Sequence, residues 1–359
     1  MWSQLLISIP MMVCFFWSIF FLIRFFRHEG EPRVKTSLLL FFIASTVLYT
    51  NHWLYFSHHQ SAIGLYTYLL ANLSVYPLYY AYLRALTRSK RGWEVPVLLI
   101  PVVLVAVLYP FTTPFGEFGE NGILTITRTC FALQVIWVWI RGFQLLRDTC
   151  RIMDNTYSDD RSRLLQPMRV LQHLLGIIAF FSSVLNIMGR EFFAHEAPVA
   201  VPAIVMSTLL FSLGFIASHT LVPQETVVPE EKEEEERARR ATTAETDELF
   251  LKITTALREQ QLFTNPDLTI QDVAIAVNSN RTYISNCINR CTGYSFSQYV
   301  ARYRVEHAQQ VLIDPQYTSD HEAITHAIAL SGFTSDQTFY RIFRDLTGVT
   351  PLQYRQKNR

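Results

Sequence analysis

Residues 332–355 read GFTSDQTFYRIFRDLTGVTPLQYR. Gly332-Phe333 has the character of a turn, and Ser335 can cap a helix in which Phe339, Ile342 and Phe343 recur at helical spacing. Thr347-Gly348 closes that helix. Thr350-Pro351 opens the next, a capping residue followed by proline at the first helical position. The same pattern occurs upstream. TYISNCINRCTG (282–293) aligns with QTFYRIFRDLTG (337–348), Thr282 over Gln337, at an offset of 55 positions. Both copies end in Thr-Gly, and their apolar positions coincide: Ile284 over Phe339, Cys287 over Ile342, Ile288 over Phe343. An internal repeat of this kind implies two equivalent structural units.

The flanking chain completes each unit. Thr269 can cap a short helix with Ile270, Val273, Ala274 and Val277 on one face. A tight connection at Asn278–Asn280 leads to a second helix running to Arg290. Two short helices joined by a tight turn, with small Ala274 where they cross, make a helix-turn-helix. Downstream, Asp320–Ser331 forms the short helix before the Gly332 turn. Between the units, Ser295 starts a longer helix with Phe296, Tyr299, Val300, Tyr303, Ala308, Val311 and Leu312 as its apolar stripe, ended by Pro315.

Over about the last third of the chain, these motifs closely resemble the C-terminal domain of AraC/XylS-type transcription regulators. Residues 332–355 match the family's C-terminal signature, and NRTYISNCINRCTGYSFSQYVARYRVEHAQQVL (280–312) is similar to its first unit and linking helix. The resemblance implies a seven-helix DNA-binding domain whose two recognition helices enter successive major grooves. One position departs: four before Gly332, where a small residue is usual, stands Ile328.

A recognition helix presents its N-terminal side chains to base edges. In the first unit the expected exposed positions are Arg281, Thr282, Ser285 and Asn286; in the second they are Asp336, Gln337, Tyr340 and Arg341. Arg pairs bidentately with guanine and Asn with adenine. By resemblance, Asn286 and Arg341 occupy matching DNA-contacting slots. Arg290, Arg344 and Arg355 are expected at phosphates, as are the backbone amides at the helix starts near Asn280 and Ser335. From Glu245 onward acidic and basic residues nearly balance, with a basic excess only from Asn278, so non-specific DNA affinity should be modest.

The rest of the chain is built differently. Of 359 residues, 50% are hydrophobic and the net charge is +1, but long apolar runs fill the chain before Ser218, and an ordinary charged composition follows Pro223. A spanning helix needs about 20 apolar residues. Seven stretches qualify: Gln4–Ile23, Ser37–Phe56, Ala62–Leu83, Val95–Phe111, Ile123–Leu145, Met168–Met188 and Val199–Ser218. The fourth is short and carries Pro96, Pro101 and Pro110. The first has no preceding basic residue and a run too long for a secretory signal. Alternate loops are basic: Arg24, Arg27, Arg33 and Lys35; Arg84, Arg88, Lys90 and Arg91; Arg141, Arg147, Arg151, Arg161 and Arg163. The other loops, SHHQSA (57–62), TTPFGEFGENG (112–122) and GREFFAHEAP (189–198), hold Arg190 alone. The positive-inside rule then places the N-terminus outside and the C-terminal domain in the cytoplasm of a bacterium.

The expected architecture is thus all-α: a seven-helix transmembrane bundle (1–219), a charged cytoplasmic linker (220–246), and an all-helical domain with two helix-turn-helix units (247–359). The linker pairs Glu233–Arg237, Glu235–Arg239 and Glu236–Arg240 suit a solvated helix, either a spacer or a signalling element. Polar residues gather at the outer ends of the spans. Among Asn51, His52, His58, His59, Arg128, Asn186 and Arg190, we single out His52, Arg128, Asn186 and Arg190 as candidate contacts to an anionic small molecule. The same residues also fit an interfacial belt of snorkelling arginines and aromatics. Five cysteines, an odd and scattered set, argue against a disulfide framework. Cys287 and Cys291 lack partners for structural zinc, and nothing calls for a cofactor. The spans hold no HExxH, GxSxG or paired aspartates, so enzymatic function is not expected. Expected partners are promoter DNA, membrane lipid, a small-molecule ligand, RNA polymerase and a second copy of the chain. The competing readings are a regulator that is only tethered to the membrane, and a receptor or transporter with a helical interaction module.

Overall fold

The computed structural model describes residues 2–28, 30–57, 61–89, 92–111, 116–188, 197–219 and 243–359. His58, His59, Arg190 and the linker pairs Glu233–Arg237, Glu235–Arg239 and Glu236–Arg240 lie outside these residues, as does the Asn186 side chain. The described residues are helical, with no strand among them; one isolated antiparallel bridge joins Tyr157 and Thr269. The chain divides into two units: Met1–Asp148 with Leu164–Gln224, and Thr149–Arg163 with Glu225–Arg359.

The first unit contains α1 (Trp2–Phe26), α2 (Pro32–Phe56), α3 (Ala62–Leu86), α4 (Glu94–Leu98), α5 (Ile100–Leu108), α6 (Gly116–Thr156, whose end belongs to the second unit), α7 (Gln166–Met188) and α8 (Ala197–His219). Counted by span these are seven segments, because α4, α5 and the 3-10 turn Tyr109–Phe111 form one run. Six are long and apolar enough to cross a membrane. The seventh, α3, is as long as α1 and α2 but is not among those six; it carries Tyr66, Tyr68, Asn72, Tyr76, Tyr79, Tyr80 and Tyr82.

The prolines explain the break in the fourth segment. Pro110 has no N–H to give the carbonyl of Ala106, and the Tyr66 hydroxyl donates to that oxygen at 3.0 Å. Near the α4–α5 break, Gln134 Nε2 donates to the Leu98 carbonyl at 2.7 Å. Side chains of neighbouring helices thus satisfy these backbone groups.

The unit is apolar outside. Phe15, Phe16, Ile63, Val103, Leu133 and Phe181 are more than half exposed. Its interior mixes aromatic packing with hydrogen bonds. Trp17 stacks on Phe21 and Phe42, and Gly214 leaves room for its indole. Tyr79 donates to Gln172 Oε1 at 2.7 Å.

The second unit holds α9 (Thr243–Glu259), α10 (Ile270–Ala276), α11 (Arg281–Thr292), α12 (Phe296–Ile313), α13 (Asp320–Leu330), α14 (Asp336–Thr347) and α15 (Pro351–Asn358), together with the end of α6 and the turn after it. Helix α12 serves two cores. Its first half sets Phe296, Tyr299, Val300 and Tyr303 among Ile253, Leu257, Val273, Ala274, Ile284 and Ile288. Its second half sets Val305, Ala308, Val311 and Leu312 among Ile324, Ala327, Phe339 and Phe343.

Candidate nucleic-acid interface

The 55-residue repeat is visible in the geometry. Helices α11 and α14 are both 12 residues long. Asn280 caps the first by accepting from the Tyr283 amide, and Ser335 caps the second by accepting from Thr338. Each ends on a left-handed glycine, Gly293 at φ +74° and Gly348 at φ +78°. The register continues into the next helices, where Ser295 with Gln298 and Thr350 with Gln353 close reciprocal capping boxes. Thr269 with Asp272 makes a third box at the start of α10.

The units differ upstream of their recognition helices. α10 spans 7 residues and α13 spans 11, one turn longer. The turn of the first unit uses Asn278 at φ +51°, with the Ser279 amide donating to the Ala274 carbonyl at 2.8 Å. The turn of the second uses Gly332 at φ +74°, packed so tightly that a Cβ there would lie 2.5 Å from the Thr264 carbonyl oxygen. On α13 the small residues Ala323 and Ala327 are fully buried, and Ile328 packs half-buried against the second core.

The expected DNA-facing residues fall into three groups. Ser335, Asp336, Gln337, Tyr340 and Arg344 are exposed along α14, as is Arg290 on α11. Arg281, Ser285 and Asn286 are half-buried on α11, and Arg341 is half-buried on α14. Two expectations are overturned. Thr282 is buried, 1% exposed, although its repeat partner Gln337 is open. The N-terminal helix α9 packs on α11, where the Cys287 thiol donates to the Thr246 carbonyl. Burial pushes that thiol up to about 12, so Cys287 is a neutral core group. Among the described residues no cluster of metal ligands occurs.

The second correction is Arg355, expected at phosphate but 1% exposed. Its guanidinium donates to Asp320 Oδ1 at 2.8 Å and to the carbonyls of Leu312 and Tyr317. It fastens α15 to the end of α12 and the start of α13 and has no freedom to reach DNA.

A second buried arginine had no signal in the sequence. Arg304 on α12 donates to the carbonyls of Phe263 and Asn265, each at 2.8 Å, and to Ser158 Oγ at 2.8 Å and its carbonyl at 3.3 Å. Burial lowers its pKa to about 10, which still leaves it charged at neutral pH. Beside it, the Ser158 amide donates to the Leu268 carbonyl at 3.0 Å. Arg161 meets Asp267 at 3.1 Å, and Arg341 on α14 donates to Asp160. The acidic pair Asp159-Asp160 inside an otherwise basic loop was the one local hint of this arrangement.

The candidate small-molecule residues are less assembled. His52 packs its ring edge against Tyr68, with ring centroids 5.3 Å apart. Neighbouring Asn51 is buried and accepts from Thr67 at 3.3 Å. Arg128 is half-buried on α6.

Comparison with known proteins bears on this half of the molecule. A helix-turn-helix domain family matches residues 273–357. The chain is 31% identical over 93 residues to the uncharacterized HTH-type transcriptional regulator YtdP of Bacillus subtilis, a match covering 26% of this chain and 11% of that protein. It is 33% identical over 89 residues to the melibiose operon regulatory protein of Escherichia coli K12, covering 25% and 28% respectively. The similarity to the HTH-type regulator YisR of Bacillus subtilis is 28% over 89 residues, covering 24% and 29%. The chain therefore spans less than a third of the length of each of these relatives. No solved structure matches the chain. Together the repeat geometry and these similarities identify the C-terminal region as a helix-turn-helix domain of the AraC type.

Proposed function

We propose that the chain is a membrane-held transcription regulator that binds double-stranded DNA through α11 and α14. The observation that carries this is the pair of capped, equal-length helices in one register, built around a shared linking helix. Helix-turn-helix units read the major groove with the N-terminal part of the second helix. On that geometry Asn286 and Arg341 read bases. Arg281, Ser285, Gln337 and Tyr340 flank them, Arg290 and Arg344 reach phosphates, and the amides at Asn280 and Ser335 cap the backbone contacts. The relatives named as regulators of transcription support the same reading.

The membrane half is read from its apolar exterior and its six long apolar helices, with α3 as a more polar seventh span. On this reading the protein sits in the bacterial cytoplasmic membrane with its DNA-binding domain in the cytoplasm. There it converts a signal at the membrane into gene control, with RNA polymerase and a second copy of the chain as partners. Buried polar groups such as Asn51 in a helix bundle support a role beyond anchoring, because they are costly to bury in lipid. Purified full-length protein in detergent should retard DNA from upstream of its own gene, with an affinity that falls steeply with salt. Equal binding at low and high salt, or none at either, would rule the reading out.

A further inference from the structure

Helix α6 leaves the first unit at Asp148, and the stretch Thr149–Arg163 is folded into the second unit. That stretch lies about a hundred residues before the DNA-binding domain in sequence, yet it packs on that domain, and Asp160 reaches Arg341 on α14. We propose that Tyr157–Arg163 is a built-in competitor for DNA: docked, it holds Arg341 on the carboxylate of Asp160 and withholds the second recognition helix. The proposal rests on the reading of α14 as a DNA-contacting helix.

Docking has an anchor and a cap. At the anchor, Tyr157 and Ser158 are each 3% exposed. Tyr157 bridges to Thr269, and Ser158 fills the four-way hydrogen-bond seat of Arg304. At the cap, Asp160 accepts from Arg341 in a contact whose side chains remain 25% and 26% exposed. The cap borders an open cleft of about 280 Å³ shared by Asp154, Arg302 and Arg341. The anchor is therefore part of the solid core and the cap is not. The cap can open while the domain stays folded.

The chemistry at the cap matches what DNA would offer. A carboxylate presents two acceptor oxygens to a guanidinium, as a phosphate or a guanine edge does. Asp160 satisfies Arg341 only in part. Asp345 lies at 3.5 Å from the other terminal nitrogen, and Arg341 Nε is buried with no acceptor. The docked arginine thus leaves part of its donor capacity unused. One guanidinium cannot pair with Asp160 and with DNA at once. Docking and DNA binding are therefore coupled, and the coupling is reciprocal. Docking raises the apparent Kd for DNA by the reciprocal of the undocked fraction.

Asp160→Asn keeps the shape and removes the charge. In the full-length protein, affinity for DNA from upstream of its own gene should rise roughly three- to tenfold, the range expected for a part-exposed charge pair. Asp160→Arg, which sets like charges together, should raise it further. Reciprocally, adding that DNA to the wild-type protein should speed trypsin cleavage after Arg161, now held by Asp159 and Asp267. Unchanged affinity in both Asp160 variants, with Arg341→Ala still weakening binding, overturns the competitor while leaving the DNA-binding reading intact. Absence of DNA binding in every variant overturns that reading, and this proposal with it.

Discussion

The two helix-turn-helix units share a frame and differ in what occupies it. Caps, helix length and terminal glycine coincide at the 55-residue offset between α11 and α14. In the first unit Thr282 and Cys287 are buried, and α9 packs on α11, where the Cys287 thiol donates to the Thr246 carbonyl. The second is open along Ser335, Asp336, Gln337 and Tyr340, but its central arginine is held by Asp160. The first unit also turns on Asn278, while the second turns on a glycine pressed against the Phe263–Thr264 backbone. A repeat in sequence fixes the scaffold. The surroundings decide which of its equivalent positions are free to bind.

The largest asymmetry is Arg355, which has no counterpart in the first unit. Replacing it with Ala leaves Asp320 and the Leu312 and Tyr317 carbonyls without their shared donor. The second unit should lose on the order of 3 kcal/mol, read as a lowered unfolding midpoint and early proteolysis of α13–α15. A loss below about 1 kcal/mol would return Arg355 to the surface role first expected of it.

The glycines sharpen the contrast further. Gly332→Ala meets both a positive φ and the Thr264 carbonyl, so it should cost more than about 2 kcal/mol. Gly348→Ala, with nothing within 4 Å of the added carbon, pays only for the left-handed backbone, about 1 kcal/mol. Equal effects in thermal unfolding would contradict the close packing at Gly332.

At the DNA face, Asn286→Ala should weaken binding roughly tenfold, the value of a base contact. Arg341→Ala should cost roughly threefold in the full chain, because part of that contact is already forfeited to Asp160. In the Asp160→Asn background the cost should approach tenfold. Additive behaviour in this double-mutant cycle would sever the link between the two residues.

The smallest effect is a pH dependence. Burial lowers the pKa of His307, whose ring contacts Ser331 Oγ at 3.1 Å and packs on Phe263. The unfolded chain takes up the proton first as pH falls. The stabilisation from a neutral His307 is thus present above about 6.5 and is lost on acidification through the lower folded value. A folding midpoint less sensitive to pH between 7 and 5 in His307→Gln than in wild type is the expected result.

Much of the fold was legible because its determinants are local. Apolar runs, prolines, caps at Thr269, Ser295, Ser335 and Thr350, and the Thr-Gly endings all act over three or four residues. The misreadings share the opposite origin. Arg355 looks like a surface residue until chain from 35 to 43 positions away surrounds it. Thr282 aligns with the open Gln337, yet it is buried in the folded domain. The contacts of Arg304 with Ser158, and of Arg341 with Asp160, bridge 146 and 181 positions, beyond any periodicity. Of the candidate small-molecule residues, His52 could be placed beside Tyr68, but no sequence pattern brings it to Arg128.

The most direct test of a membrane-held DNA reader uses the full chain reconstituted in lipid nanodiscs. DNA from upstream of its own gene is titrated at several salt concentrations, with wild type beside the Asn286→Ala, Arg341→Ala double variant. The account predicts specific retention by the nanodisc-bound wild type, falling steeply as salt rises, and loss of specific retention in the double variant. Wild-type nanodiscs that retain no DNA at low salt, or a double variant that binds as wild type does, would contradict it.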